Sequence, residues 1–360
     1  MPTRSAKFNI IGSKWRLRLG HFVTDIGIDL GTCNTLIYVR GKGIVIDEPS
    51  VVAVEKGTSR VVAVGAEAKR MLWKTPNNII ATRPLADGVI ADIDSCEKMI
   101  KYFIAKIIPR HRFFTSTRMK IGIPSCITEV EKRAVIEAAL KAGAREVEVI
   151  PESLAAAIGA KIPIYEPAGH MVCDIGGGTA EISVISLGGM VITSSIRVGG
   201  NKFDEAIVKH IQQKFGLVIG QQTAERLKIE IGNASSDRSI EKMEIKGADA
   251  SNGLPRRLEI DSVEVREALK GPVNMIVEEI KNTLGHTPPE LAADIIERGI
   301  VMTGGGSMLK GLPKLISKET NVPVILVEKP LECVALGAGE AFELFKDMSS
   351  DRSVYDNLNI

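Results

Sequence analysis

Two stretches decide the reading of this chain: Asp25-Ile26-Gly27-Ile28-Asp29-Leu30-Gly31-Thr32 and Cys173-Asp174-Ile175-Gly176-Gly177-Gly178-Thr179. Each is an apolar strand that ends in an aspartate and passes into a turn of glycine and threonine. Each turn leads into a second apolar strand, over 35–39 in the first copy and 181–187 in the second. Asp29 and Asp174 stand 145 residues apart. A repeat at that separation is a repeat of a whole domain. The pattern therefore predicts two similar domains, each offering the same hairpin to a shared cleft.

The turns have a chemistry of their own. Glycine permits close backbone approach and the positive φ that tight turns use. Clustered backbone N–H groups make an anion site that fits phosphate. Thr32, Cys33 and Asn34 in the first turn and Gly176, Gly177, Gly178 and Thr179 in the second are the candidate phosphate contacts. Asp29 and Asp174 open the two turns. Two carboxylates on opposite walls suit Mg²⁺, which takes a few carboxylates, phosphate oxygens and several waters. One copy alone would read as a β-turn that uses Asp and Gly for local geometry. Recurrence of conformation and charge together favours Mg-ATP.

A third glycine cluster is Met302-Thr303-Gly304-Gly305-Gly306-Ser307. It follows the apolar residues 299–301 and precedes a helix expected from about Met308. Strand, glycine turn and helix start make a further backbone contact to the nucleotide. No Gly-Lys-Ser/Thr follows and the spacing is not GxGxxG, so neither a P-loop nor a dinucleotide fingerprint is present. Glu225-Arg226-Leu227-Lys228 lies in a helical stretch over 223–231. Glu225 and Lys228 are three apart and share a face, which by itself reads as a solvated charged helix.

Outside these motifs, helical and strand patterns alternate, which gives the class α/β. Met99, Ile100, Phe103, Ile104, Ile107 and Ile108 line one face of a helix over 97–108. Thr128 and Glu131 form a capping box for a helix that runs through Ala142 and stops at Gly143. Phe203, Ile207, Ile211 and Phe215 mark another, and a further helix is expected over 263–284. Residues 48–54, 61–64 and 119–123 read as strands. The polar stretch 233–257 reads as part of a peripheral subdomain with an exposed loop.

Composition limits the alternatives. The chain has 360 residues, 44% hydrophobic and 25% charged, which fits a soluble protein of two or three domains. Its five cysteines, Cys33, Cys96, Cys126, Cys173 and Cys333, show neither CxxC nor zinc spacing. They are expected to be small buried residues in a reducing cytosol. No apolar run approaches the ~20 residues of a membrane span, and no cleavable signal pattern is present. The net charge of +2 divides unevenly. Residues 1–22 hold five basic residues and no acid, leaving 41 basic against 44 acidic residues in the rest. That balance argues against nucleic acid as a partner. It points the basic tail at an anionic surface.

Wound as a helix at ~100° per residue, the tail gathers Phe8, Ile11, Trp15, Leu19 and Phe22 within about 80°. Most of its basic residues fall off that stripe, the pattern of an interfacial membrane helix. Gly12 and Gly20 weaken the helix, and a disordered basic tail is the alternative. Phe113 and Phe114 form a second membrane candidate, in a basic stretch with no acid from 98 to 128. Two adjacent rings are costly to leave in water. They either enter the lipid or fold back into the core.

Taken in order, Asp29-Leu-Gly-Thr, Asp174-Ile-Gly-Gly-Gly-Thr and Thr303-Gly-Gly-Gly-Ser resemble the phosphate-1, phosphate-2 and adenosine motifs of the actin/Hsp70/hexokinase superfamily. Pro151-Glu-Ser-Leu-Ala-Ala-Ala-Ile-Gly-Ala, Thr223-Ala-Glu-Arg-Leu-Lys-Ile-Glu-Ile-Gly, Leu254-Pro-Arg and Pro288-Pro-Glu-Leu-Ala-Ala-Asp-Ile-Ile-Glu-Arg-Gly are similar to the MreB family of bacterial actins. The resemblance runs from about Asp25 to Phe345. It implies an actin-like fold, with two duplicated ribonuclease H-like domains and four subdomains around a nucleotide cleft. Domain I would span 23–155, with subdomain IB inserted at 46–74. Domain II would span 156–325, with IIB at 196–259, and 326–360 would return to subdomain IA as a C-terminal helix region.

The same resemblance assigns roles. Glu225, Arg226, Leu227 and Lys228 would contact ribose and adenine, Gly304, Gly305, Gly306 and Ser307 the adenosine side, and Glu152 and Thr179 the attacking water. It implies a slow ATPase that forms filaments with itself at the inner face of the cytoplasmic membrane, alongside cell-wall elongation proteins. Cys33 stands where an alanine is usual, Ala180 for a second threonine, and Pro151-Glu152-Ser153 for Glu-Glu-Pro. These departures bear on the rate of hydrolysis rather than on binding. A small-molecule kinase of the superfamily is the alternative, and it should show a substrate-binding carboxylate base. An Hsp70-like chaperone would carry a peptide domain beyond the ATPase, and the chain to Ile360 is read as having none.

Overall fold

The computed structural model describes residues 22–58, 60–107, 115–236 and 239–349. The first half begins with strands β1 (Phe22–Leu30), β2 (Asn34–Val39) and β3 (Gly43–Pro49). A small inserted sheet follows, of β4 (Val52–Glu55), β5 (Val61–Val64) and β6 (Ile79–Thr82), with helix α1 (Ala66–Met71) against it. A two-stranded turn, β7 (Leu85–Ala86) and β8 (Val89–Ile90), leads into α2 (Ile93–Ile107). Then come β9 (Thr115–Ile123), α3 (Glu129–Lys141), β10 (Glu146–Pro151) and α4 (Glu152–Gly159).

The second half repeats the plan. It has β11 (His170–Ile175), β12 (Ala180–Ser186), β13 (Gly189–Ile196) and α5 (Gly200–Phe215). An outlying part holds β14 (Leu217–Val218), α6 (Gln221–Ile231), β15 (Lys242–Asp249) and β16 (Pro255–Asp261). The chain returns through α7 (Ser262–His286), α8 (Pro289–Arg298) and β17 (Ile300–Thr303). It ends in α9 (Leu312–Thr320), β18 (Val324–Leu326) and α10 (Cys333–Ser349).

The duplication read from two short motifs is a duplication of sheets. The first sheet runs β3-β2-β1-β9-β10 and the second β13-β12-β11-β17-β18. In each, three antiparallel strands are followed by two parallel ones added at the first strand. The central strands are apolar on both faces; β11 is buried at every position, as expected of a sheet covered on both sides. Helices α4 and α10 pack on each other, α4 touches strands of both sheets, and α10 lies along β1. Small residues bring this pair together. A Cβ added at Gly337 would fall 1.8 Å from the Ala155 carbonyl oxygen, and one at Gly159 would fall 1.9 Å from that of Cys333. Since α4 starts at Glu152, its packing fixes that side chain at the seam between the sheets.

Several expectations are corrected. Residues 48–54 are not one strand. Ser50 leaves the ladder to donate its hydroxyl to the Gly31 carbonyl at 2.6 Å and its N–H to Cys33 at 2.9 Å, so β3 ends at Pro49. The polar stretch 233–257 keeps its exposed loop, at 250–254, and adds β15 and the start of β16 around it, whose alternating exposed residues explain its polarity. A 3₁₀ turn at Gly305–Met308 precedes α9, which begins only at Leu312 because Gly311 takes φ 75°. The boundary expected between 155 and 156 falls inside α4. Phe22 does not continue a tail helix; it opens β1, paired with Thr115 of β9. Phe8, Ile11, Trp15, Leu19, Phe113 and Phe114 lie outside the described residues. The capping box at Thr128 and Glu131 is present as read. Among the described residues, no helix is long and apolar enough to cross a membrane.

Candidate functional site

The two hairpin turns face each other across a cavity of about 460 Å³ between the halves. Asp29 sits one pair before the end of the hairpin register of β1 with β2, and Asp174 holds the equivalent place between β11 and β12. The turns nearly touch. A Cβ at Gly177 would lie 2.3 Å from Cys33 Sγ, and one at Gly178 would lie 2.7 Å from Thr32 Oγ1. Close approach, and not a positive φ, is what demands glycine in these two turns. The positive φ occurs in the third cluster, at Gly304 with φ 79°.

Polar contacts cross between the halves beside this seam. Cys33 Sγ donates to Asn201 Oδ1 at 3.0 Å, and Arg83 donates to the same oxygen at 3.2 Å. Within the first half, Gly88 N–H donates to Thr32 Oγ1 at 2.9 Å. At the mouth, Lys69 pairs with Glu225 at 2.9 Å. The start of α5 is pinned to the second turn, since Gly200 and Asn201 donate to the Gly176 and Gly177 carbonyls.

Asp29, Asp174 and Glu152 all line the cavity. Burial raises all three carboxyls. Asp29 is pushed to about 8, first by burial and then by Asp174 and Asp47. Asp174 is pushed to about 6 by burial, opposed by the Thr303 hydroxyl that donates to Oδ1 at 2.7 Å. Glu152 rises well above the ordinary carboxylate range through burial and then Asp29, Asp174 and Glu181. Such crowded acids either stay protonated or take up a cation. Among the described residues, no three Asp, Glu, His or Cys side chains are close enough to hold a metal directly. The donor set fits Mg²⁺ held by two carboxylates through its own waters.

The other end of the cavity mixes charges of both signs with apolar groups. Gly304, Gly305, Gly306, Met308, Leu309, Lys310, Pro330 and Leu331 form one side, with Phe203, Glu225, Lys228 and Ile229 opposite. Apolar walls with a few polar groups suit a base and its sugar. Lys228 is anchored by Asp204 at 2.8 Å and the Gly200 carbonyl at 3.0 Å.

Thr32, Cys33, Asn34, Gly176, Gly177, Gly178 and Thr179 converge as read. Three residues do not. Leu227 turns into the core of the second half, fully buried. Arg226 points outward and pairs with Glu230 at 3.3 Å. Ser307 is buried beneath the turn and donates to the Thr303 carbonyl. Sequence reasoning missed Phe203, Ile229, Lys310, Pro330 and Leu331. Ile229 was within reach, being four residues after Glu225 on one helix face. Pro330 and Leu331 carry no local signal.

Two equivalent sheets with paired acidic hairpins across one cleft define an actin-like protein with a nucleotide site. The model of the MreB/Mbl protein family matches residues 23–350, and the chain belongs to that family. It is 51% identical to the cell shape-determining protein MreB of Haemophilus influenzae, over 90% of this chain and 94% of that protein. It is 50% identical to the cell shape-determining protein Mbl of Bacillus subtilis, over 88% and 95%. The crystal structure of MreB5 of Spiroplasma citri bound to AMPPNP superposes with a TM-score of 0.85 at 35% identity, covering 92% of this chain and 99% of that one. The ADP-bound form gives 0.86 at the same identity.

Proposed function

We propose that this protein is a cytoskeletal ATPase that assembles into actin-like filaments with Mg-ATP, lies on the inner face of the cytoplasmic membrane and directs cell-wall synthesis and rod shape. The observation that carries the reading is the pair of acidic hairpins facing one another across a single cavity. Support comes from relatives named for cell shape and from solved relatives bound to AMPPNP and ADP.

Phosphates lie between the turns, against the backbone N–H groups of 31–34 and 176–179. The base and ribose lie between α6 and the Gly304–Gly306 turn, with Glu225 and Lys228 at the sugar. Asp29 and Asp174 would hold Mg²⁺, which would supply charge neutralisation at the phosphates. Glu152 and the Thr179 hydroxyl orient one water toward the terminal phosphate, which is mainly a positioning task. The inserted sheet β4–β6 with α1 serves as subdomain IB, and the part from α5 to β16 as IIB. The C-terminal helix α10 belongs to IA.

The basic tail over 1–22 and the Phe113-Phe114 loop hold the filament on anionic lipid. Ultracentrifugation tests both levels. The protein should pellet with Mg-ATP and stay in solution without nucleotide. It should float with anionic liposomes, and a chain lacking 1–22 should float less. Equal sedimentation with and without Mg-ATP would refute filament assembly. Equal flotation of the two chains would refute the role of the tail.

A further inference from the structure

We propose that Glu181 is a positioning residue for hydrolysis, a buried tie that holds the end of β9 against the second half of the cleft and so seats Thr179 and Glu152. The proposal rests on the reading of those two residues as the water-orienting pair.

Glu181 has no exposed surface. It sits on β12 two residues after Thr179 and does not line the cavity. Its two oxygens face opposite halves of the molecule. Oε2 accepts the backbone N–H of Ser125 at 3.0 Å, from the loop after β9 in the first half. Oε1 accepts the hydroxyl of Ser195 on β13 in the second half. Among the described residues it has no ion pair. A buried carboxylate held by two hydrogen bonds alone is expensive, and an apolar side chain could fill the same space without that cost.

The tied segment leads straight to the reacting end of the cavity. Ser125 follows Pro124. A Cβ built on Gly88 would lie 3.0 Å from Pro124 Cγ and 2.9 Å from Thr179 Cγ2, so the Gly88 turn is wedged between them. The same turn donates to Thr32 Oγ1. Gly122, next to last on β9, would carry a Cβ 3.4 Å from Glu152 Cγ. By gripping Ser125 N–H, Glu181 fixes one backbone segment that abuts Glu152 directly and reaches Thr179 and the first phosphate turn through the Gly88 turn. Loosening it leaves the nucleotide contacts intact but lets the two orienting groups drift, and small misplacement of that kind lowers rate far more than affinity.

The test compares Glu181→Ala with Glu181→Gln in the full chain. Gln keeps the tie, since its amide oxygen accepts from Ser125 and its NH₂ donates to Ser195. In Glu181→Ala, single-turnover hydrolysis should fall at least about tenfold, with ATP affinity within about threefold of the parent. Glu181→Gln should recover the rate to within about threefold. The Ser125 amide should exchange with solvent at least about tenfold faster in Glu181→Ala than in the parent, and at the parent rate in Glu181→Gln. A parent-like rate in Glu181→Ala, a Gln variant as slow as Ala, or unchanged Ser125 exchange would each overturn the proposal. Should Glu181→Ala not fold, Ser195→Ala loosens the same carboxylate, and parent-like exchange at Ser125 in it counts against the tie. A parent-like rate in Glu152→Gln would refute the reading of the site itself, and Ser125 exchange still judges the tie.

Discussion

Asp29 and Asp174 occupy the same place in two copies of one hairpin, yet they are held differently. Asp174 is braced by the Thr303 hydroxyl, from the strand parallel to its own. The Asp29 carboxyl has no hydrogen-bonded partner among the described residues, and Asp47 adds further negative charge. The braced acid is pushed only to about 6 and the unbraced one to about 8. The duplication thus preserved the backbone and let the electrostatics diverge. Under the proposed function, Asp174 would offer its charge to the cation more readily than Asp29, which Asp174 and Asp47 raise further.

That asymmetry predicts unequal losses. Asp174→Asn should weaken Mg-dependent ATP binding the most, by about a hundredfold, and Asp29→Asn by about tenfold. Fluorescent-nucleotide titration with and without Mg²⁺ measures both, and equal losses would remove the distinction. Thr303→Val should have a smaller effect, within about tenfold. Without the donated hydrogen bond, Asp174 rises toward the level of Asp29, and the affinity should become more dependent on pH between 6 and 8. An unchanged pH profile would show that the brace has no electrostatic role.

The same contrast explains what could be read from sequence. The hairpins were legible because strand, aspartate and glycine turn are local, and their repetition exposed the two-sheet architecture. Reading 225–228 as a block failed because a helix shows only one face to a ligand. Glu225 and Lys228 line the cleft, while Leu227 enters the core and Arg226 the solvent. Ser307 failed for a related reason, since the turn is read by its backbone and its last side chain bonds inward. The Thr303 brace, the Lys69–Glu225 pair and the Glu181–Ser125 tie join residues from 56 to 156 positions apart, and no local pattern announces such contacts. Phe203 was seen only as part of an apolar helix face, and it serves both core and cavity wall.

In the proposed function, one divalent cation is shared between unlike copies of the hairpin. Calorimetry of Mg-ATP binding at pH 7, in buffers that differ in ionisation enthalpy, tests it directly. A carboxyl near 8 must lose its proton when the cation binds, so binding should release close to one proton and tighten as the pH rises from 6 to 8. The release should largely vanish in Asp29→Asn. Binding that is indifferent to Mg²⁺, or that exchanges no proton with the buffer, would contradict the account.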